Sequence, residues 1–93
     1  MPKLSEAELA ERLAAAERWR RNGEAIEREW KLADFAAAIA FVGRVAQLAE
    51  AANHHPDILV HGWNKVRLTL STHSEGGLTE ADFRLASEID RLS

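Results

Sequence analysis

Glu50-Ala51-Ala52-Asn53-His54-His55-Pro56-Asp57-Ile58-Leu59-Val60-His61-Gly62-Trp63-Asn64-Lys65-Val66-Arg67-Leu68-Thr69-Leu70-Ser71-Thr72-His73 is the stretch on which the fold turns. It holds all 4 histidines of the chain. Its first residues end a long apolar helix. Pro56 forces the backbone out of helical geometry, because its ring removes an N–H donor and restricts the residue before it. Ile58 to Val60 predicts a short strand, with Gly62 near the bend after it. Val66, Leu68 and Leu70 then alternate with Lys65, Arg67, Thr69 and Ser71, which predicts a half-buried strand over Lys65 to Thr72. His73 stands at its far end. A helix end and a strand end that both carry imidazole can converge on one pocket.

Upstream, Asp34 caps the long helix, and Phe35, Ala38, Ile39, Val42, Val45, Ala46 and Ala49 follow the i, i+3, i+4, i+7 series. The other side is hardly polar: only Gly43, Arg44, Gln47 and Glu50 interrupt Ala36, Ala37, Ala40, Phe41, Leu48 and Ala52. Such a helix is buried on more than one side, and in so small a protein a partner chain is the expected second side. Before it, Asn22-Gly23 predicts a type I′ hairpin. Ile26, Trp30 and Leu32 alternate with Glu27, Glu29 and Lys31 as a strand, and Trp19 on the preceding arm joins the same core.

Both ends of the chain carry helix starts. Ser5 caps the first helix, Glu8 closes a capping box, and Leu4 and Leu9 occupy the hydrophobic-staple positions. Leu9, Leu13 and Ala16 carry that helix to about Glu17, where Arg18, Arg20 and Arg21 suit the negative end of its dipole. The third helix repeats the pattern, with Leu78 as staple, Thr79 as cap, Asp82 at the third position and Phe83, Ala86, Ile89 and Leu92 as its buried stripe. The element order is α-β-β-α-β-β-α. The fold class is α+β, a four-stranded antiparallel sheet with three helices packed on one face, in a single domain over residues 1–93.

Bulk properties narrow the function. With 93 residues there is room for one core, and 46 % apolar with 29 % charged residues is the composition of a globular chain. The absence of cysteine excludes disulfides, thiolate metal sites and cysteine nucleophiles. A net charge of −3 gives no general attraction for nucleic acid or an anionic membrane. No apolar run approaches the roughly 18 residues of a membrane span and no signal-peptide core opens the chain, so a cytoplasmic location is expected.

Histidine takes and gives protons near neutrality, which makes the cluster a candidate for acid/base work. Glu50 lies four residues before His54, and on an unbroken helix the two share a face, where a carboxylate would fix the imidazole tautomer. The parity of the last strand places Ser71 and His73 with Lys65 and Arg67, away from Val66, Leu68 and Leu70. Structural readings stand beside these. A histidine at a helix C-terminus serves as a dipole partner; His61 reads as a surface loop residue; Trp63 reads as a core aromatic rather than a stacking wall; Asp57 reads as a turn residue. Asp82 has a sufficient explanation as a capping acid and is given no catalytic role. No metal site is expected, since the histidine spacing is not H-E-x-x-H and no cysteine helps. There is no G-x-S-x-G elbow and no phosphate-loop or dinucleotide fingerprint. General acid/base chemistry on a neutral organic substrate remains.

The segments Glu50 to Pro56, Trp63-Asn64-Lys65-Val66, Leu70-Ser71-Thr72-His73 and Gly77-Leu78-Thr79-Glu80-Ala81-Asp82 closely resemble the pterin-4a-carbinolamine dehydratases. The likeness extends back through Trp19, Asp34-Phe35, Phe41 and Arg44-Val45-Ala46 and so covers most of the chain. It implies dehydration of a 4a-hydroxytetrahydropterin to the quinonoid dihydropterin, with no metal or organic cofactor, in support of tetrahydropterin recycling. It also implies that His54, His55 and His73 form the catalytic set. His54 and His73 are then the principal acid/base groups, while His55 helps to bind the pterin. Glu50, Asn53, Ser71 and Thr72 become substrate-binding residues, the last two through their backbone. The partners implied are a small pterin and further copies of the chain in a homodimer or homotetramer, through the second helix or a sheet edge. Two departures bear on the pocket wall: the Pro56 to Asn64 loop is at the long end of the family's range, and Ile58 stands where an aromatic is common. A non-catalytic dimerisation or scaffold module that keeps the fold is the alternative.

Overall fold

The protein is described by a computed structural model covering residues 2–92. Its elements are α1 (Glu6–Ala15), β1 (Arg20–Asn22), β2 (Ala25–Lys31), α2 (Phe35–Ala52), β3 (Asp57–His61), β4 (Lys65–Leu70), a 3-10 turn (His73–Glu75) and α3 (Glu80–Asp90). All strand pairs are antiparallel, in the spatial order β1-β2-β4-β3. The α-β-β-α-β-β-α order and the α+β class expected from the sequence are what the chain adopts.

Period-two patterning sets which face is covered. Across the sheet, Arg28 pairs with Leu68 and Leu68 with Ile58, while Trp30 pairs with Val66 and Val66 with Val60. Ile26, Trp30, Val66, Leu68 and Leu70 from these rows are buried with Leu9 of α1, Ala38, Phe41 and Val45 of α2, and Phe83, Leu85, Ala86 and Ile89 of α3. The alternate residues Glu29, Lys31, Lys65, Arg67 and Thr69 face the open side. Three rings tie the layers together: Trp19 meets Trp30 edge-on at 5.7 Å, and Trp30 meets Phe41 at 4.9 Å between centroids. The Trp19 indole N–H donates to Asp90 Oδ1 at 2.8 Å, which satisfies its polar end without leaving the core.

Local chemistry corrects several boundaries. The helix α1 stops at Ala15, short of Glu17, and Arg20 and Arg21 lie in β1, where they pair with Glu27 and Glu6 rather than with a helix dipole. Asn22 still belongs to β1, opposite Ala25, so the hairpin loop is Gly23-Glu24. Only Gly23 has positive φ there (+63°), the pattern of a type II′ turn, whereas type I′ needs two such residues. The strand β4 ends at Leu70, and His73 opens the 3-10 turn instead of closing the strand. Trp63 is not in the core: it is 62 % exposed, at φ +59° in the β3–β4 turn. That conformation is costly for a bulky side chain.

The caps of α1 and α3 are as expected, each a complete capping box, Ser5 with Glu8 and Thr79 with Asp82. At 18 residues with mean hydropathy 1.4, α2 is long and apolar enough to cross a membrane by length and composition alone, contrary to the expectation that no apolar run approaches such a span. Here it lies on the sheet through Ala38, Phe41, Val45 and Ala49 and leaves Phe35 and Ile39 exposed.

Candidate active site

Asn53 decides where α2 ends. Its backbone is left-handed (φ 50°, ψ 44°), and the His54 N–H donates to Ala49 O at 3.0 Å. This six-to-one closure terminates a helix whichever residue follows, so the break lies three residues before Pro56. It also removes the unbroken helix on which Glu50 and His54 would share a face. Glu50 instead meets His55, with Nε2 2.5 Å from Oε2, and both side chains of that pair are exposed.

His54 turns the other way, toward α3. Its Nε2 stands 2.6 Å from Asp82 Oδ1, and Asp82 is fully buried. The second oxygen, Oδ2, accepts the Thr79 N–H at 2.9 Å and the Thr72 hydroxyl at 2.8 Å. Thr79 Oγ1 lies 2.9 Å from Thr72 Oγ1 and extends the chain of hydroxyls. An ionised carboxylate only accepts hydrogen bonds. Facing such a carboxylate, a neutral His54 would carry its hydrogen on Nε2 and turn Nδ1 outward as the acceptor nitrogen. Asp82 combines two roles. It caps α3, as its position in sequence predicts, and it also orients His54 and fixes the residue before His73.

The remaining candidates divide into two groups. Ser71 donates its hydroxyl to Glu24 O at 2.7 Å, so only its backbone is available on the other side. Thr72 exchanges both backbone hydrogen bonds with Gly77, at 3.0 and 3.3 Å, and so closes the loop that presents His73. His73 is exposed at the head of that loop. Asp82 thus gathers His54 and Thr72, and through Thr72 the His73 segment. Glu50 and His55 form a separate exposed pair, and Asn53 serves as the left-handed cap between the two groups. His61 is not a loop residue: it ends β3 and reaches across β4 to Glu29 Oε1 at 2.7 Å, with Arg67 Nη2 at 3.3 Å from the same oxygen. The hydrogen bond from His61 holds the Glu29 carboxyl below the usual carboxylate range, with burial opposing it and Arg67 assisting.

A cavity of about 220 Å³ opens beside His54, walled by Ala52, Ala81, Arg84, Leu85 and Glu88. A wider groove of about 410 Å³ between α1 and α3, floored by Ala15, Ala16 and Phe83, touches none of the histidines. Among the described residues no three histidine, aspartate or glutamate side chains are grouped to hold a metal ion. The arrangement offers an oriented, largely buried imidazole at the edge of a small cavity and a second, exposed imidazole borne on a loop.

Comparison with known proteins decides the kinship. The Pterin 4 alpha carbinolamine dehydratase family model matches residues 2–92. The chain belongs to the pterin 4 alpha carbinolamine dehydratase family. A Chloroflexus aurantiacus protein that provisionally bears that name is 58 % identical over 92 residues, covering 99 % of this chain and 98 % of its own. A Thermomicrobium roseum protein of the same provisional name is 44 % identical over 93 residues, covering 100 % and 99 %. Among solved structures, a transcriptional coactivator/pterin dehydratase from Brucella melitensis superposes with a TM-score of 0.90 at 38 % identity, over 97 % of each chain. A pterin dehydratase-like protein identified as a RuBisCO assembly factor in the alpha-carboxysome superposes with a TM-score of 0.68 at 28 % identity, over 80 % of this chain and 87 % of that one. This pterin dehydratase family chain therefore has relatives whose names carry an enzymatic role and relatives whose names carry a non-enzymatic one.

Proposed function

We propose that the protein dehydrates a 4a-hydroxytetrahydropterin to the quinonoid dihydropterin by histidine acid/base catalysis. The carbinolamine loses its 4a-hydroxyl as water once a proton is delivered to the leaving oxygen. The N5 hydrogen is removed as a proton, and its bonding pair forms the C4a–N5 double bond. No redox change occurs, and two groups that exchange protons near neutrality suffice. His54 and His73 divide these roles. The observation that carries the reading is the Asp82 carboxylate, which binds His54 on one oxygen and the residue before His73 on the other. A buried acid in that position holds one imidazole in a single tautomer and ties the second imidazole's loop to it. On this reading His55, paired with Glu50, helps to bind the pterin.

The test is a spectrophotometric assay with freshly generated 4a-carbinolamine. Purified protein should accelerate dehydration well above the spontaneous rate. A rate equal to that of buffer would leave the second reading, a non-catalytic dimerisation or assembly module. That reading draws on exposed Phe35 and Ile39 along α2, at 55 % and 46 %, and on the assembly role of one structural neighbour.

A further inference from the structure

His73 sits in a loop with little of its own to hold it: its side chain has no hydrogen-bond partner among the described residues, and Gly76 beyond it is left-handed at φ +73°. What fixes the loop is its two ends. On the inner side the Thr72 hydroxyl is bound to Asp82. On the outer side a second set of contacts comes from the start of the chain and from the β1–β2 turn.

Lys3 Nζ lies 2.6 Å from Glu24 Oε2, and this ion pair passes over Gly77. A Cβ at residue 77 would meet Lys3 Cε at 2.7 Å and Glu24 Oε2 at 2.9 Å. The φ of Gly77 is not left-handed, so a Cβ there would strain no backbone angle and would act by displacing the ends of these two flexible side chains. Leu4 N–H donates to Leu78 O at 2.9 Å, one residue further on. Ser71, on the other flank of the loop, donates its hydroxyl to the backbone carbonyl of Glu24. The turn bearing Glu24 is itself pinned by Arg21, whose Nε donates to Gly23 O at 2.8 Å while its other nitrogens reach Glu6 and Glu24. Glu6, Arg21, Glu24 and Lys3 form a run of alternating charges; one flank of the His73 loop is bonded to the backbone of Glu24, and the other lies under the Lys3–Glu24 pair and is bonded to the backbone of Leu4, next to Lys3.

We propose that Lys3 and Glu24 are positioning residues for His73, forming an ionic strap that sets the loop's distance from His54. The proposal rests on His73 acting as an acid/base group. Neither residue touches the reacting atoms, but small displacements of a proton-transfer group are expensive in rate. The half-exposed pair offers a modest effect, about three- to fivefold in kcat.

The experiment measures kcat, KM and melting temperature for Lys3→Ala, Lys3→Arg and Gly77→Ala, each in the wild-type and in the His73→Gln background. Lys3→Ala and Gly77→Ala should each lower kcat about three- to fivefold at nearly constant KM with the fold retained, and Lys3→Arg should restore it. In the His73→Gln background neither change should lower the rate further. An unchanged kcat in both variants, or an equal loss with and without His73, would overturn the strap while leaving His73's own role intact. A His73→Gln protein as fast as wild type would instead remove the acid/base reading on which the strap depends.

Discussion

The His54 imidazole is bound to Asp82, 28 residues further along the chain, at 2.6 Å, and that aspartate is wholly withdrawn from solvent. A buried carboxylate is costly unless its oxygens are occupied. Here both are, by His54 on one side and by Thr72 and Thr79 on the other. The same pairing that makes the acid tolerable in the core also orders the site.

Asp82→Asn separates the two roles. The amide oxygen can still accept from Thr79 and Thr72, so the helix cap largely survives. Its NH2 group would face His54 as a donor and favour the opposite tautomer. We expect kcat to fall by about 10²-fold while stability drops by only about 1–3 kcal/mol. Thermal melting alongside steady-state rates checks this, and a stability loss with an unaltered rate would assign Asp82 to the cap alone.

Asn53 offers a cleaner division. As the left-handed cap of α2, with φ 50°, it should be replaceable by glycine at a change within about 0.5 kcal/mol, whereas valine should cost about 1–2 kcal/mol. If Asn53→Gly keeps its stability and its KM, the residue serves the backbone. A raised KM in that same variant would show contact with the pterin, as the family likeness implies.

Acid should weaken the fold in a defined direction. The hydrogen bond from Arg12 holds the Glu80 carboxyl below its ordinary value of 4.5, against an opposing burial effect. A group with a depressed folded pKa contributes stability above its unfolded value, and that contribution is lost as pH falls through the folded one. The melting-temperature gap between wild type and Arg12→Met should therefore be full above about pH 5.5 and shrink below about pH 4. A gap that widens in acid would contradict the pairing.

Much of this was legible beforehand because local rules governed it. Capping boxes at Ser5 and Thr79, alternation in β2 and β4, and the apolar face of α2 each follow from a few neighbouring residues. What escaped depends on distant partners or on one backbone angle. Asp82 satisfied its local rule so fully that nothing in sequence marked its free oxygen, which only the approach of α2 to α3 occupies. The left-handed Asn53 redirected Glu50 from His54 to His55. His61 finds Glu29 two strands away, a pairing set by sheet order, and Trp63 was read as core because its turn conformation has no sequence signal.

The exposed Phe35 and Ile39 predict self-association along α2, with a second copy covering that face. Light scattering at micromolar concentration should find a dimer or tetramer, and Ile39→Glu should shift it toward monomer. A monomeric wild-type protein under those conditions would contradict the prediction.

The most direct measurement is the initial rate of 4a-carbinolamine dehydration by wild type, His54→Ala and His73→Ala, with circular dichroism confirming that each is folded. Each replacement is predicted to slow the catalysed rate by about 10²-fold or more. Variants that fold and retain the wild-type rate would contradict the account.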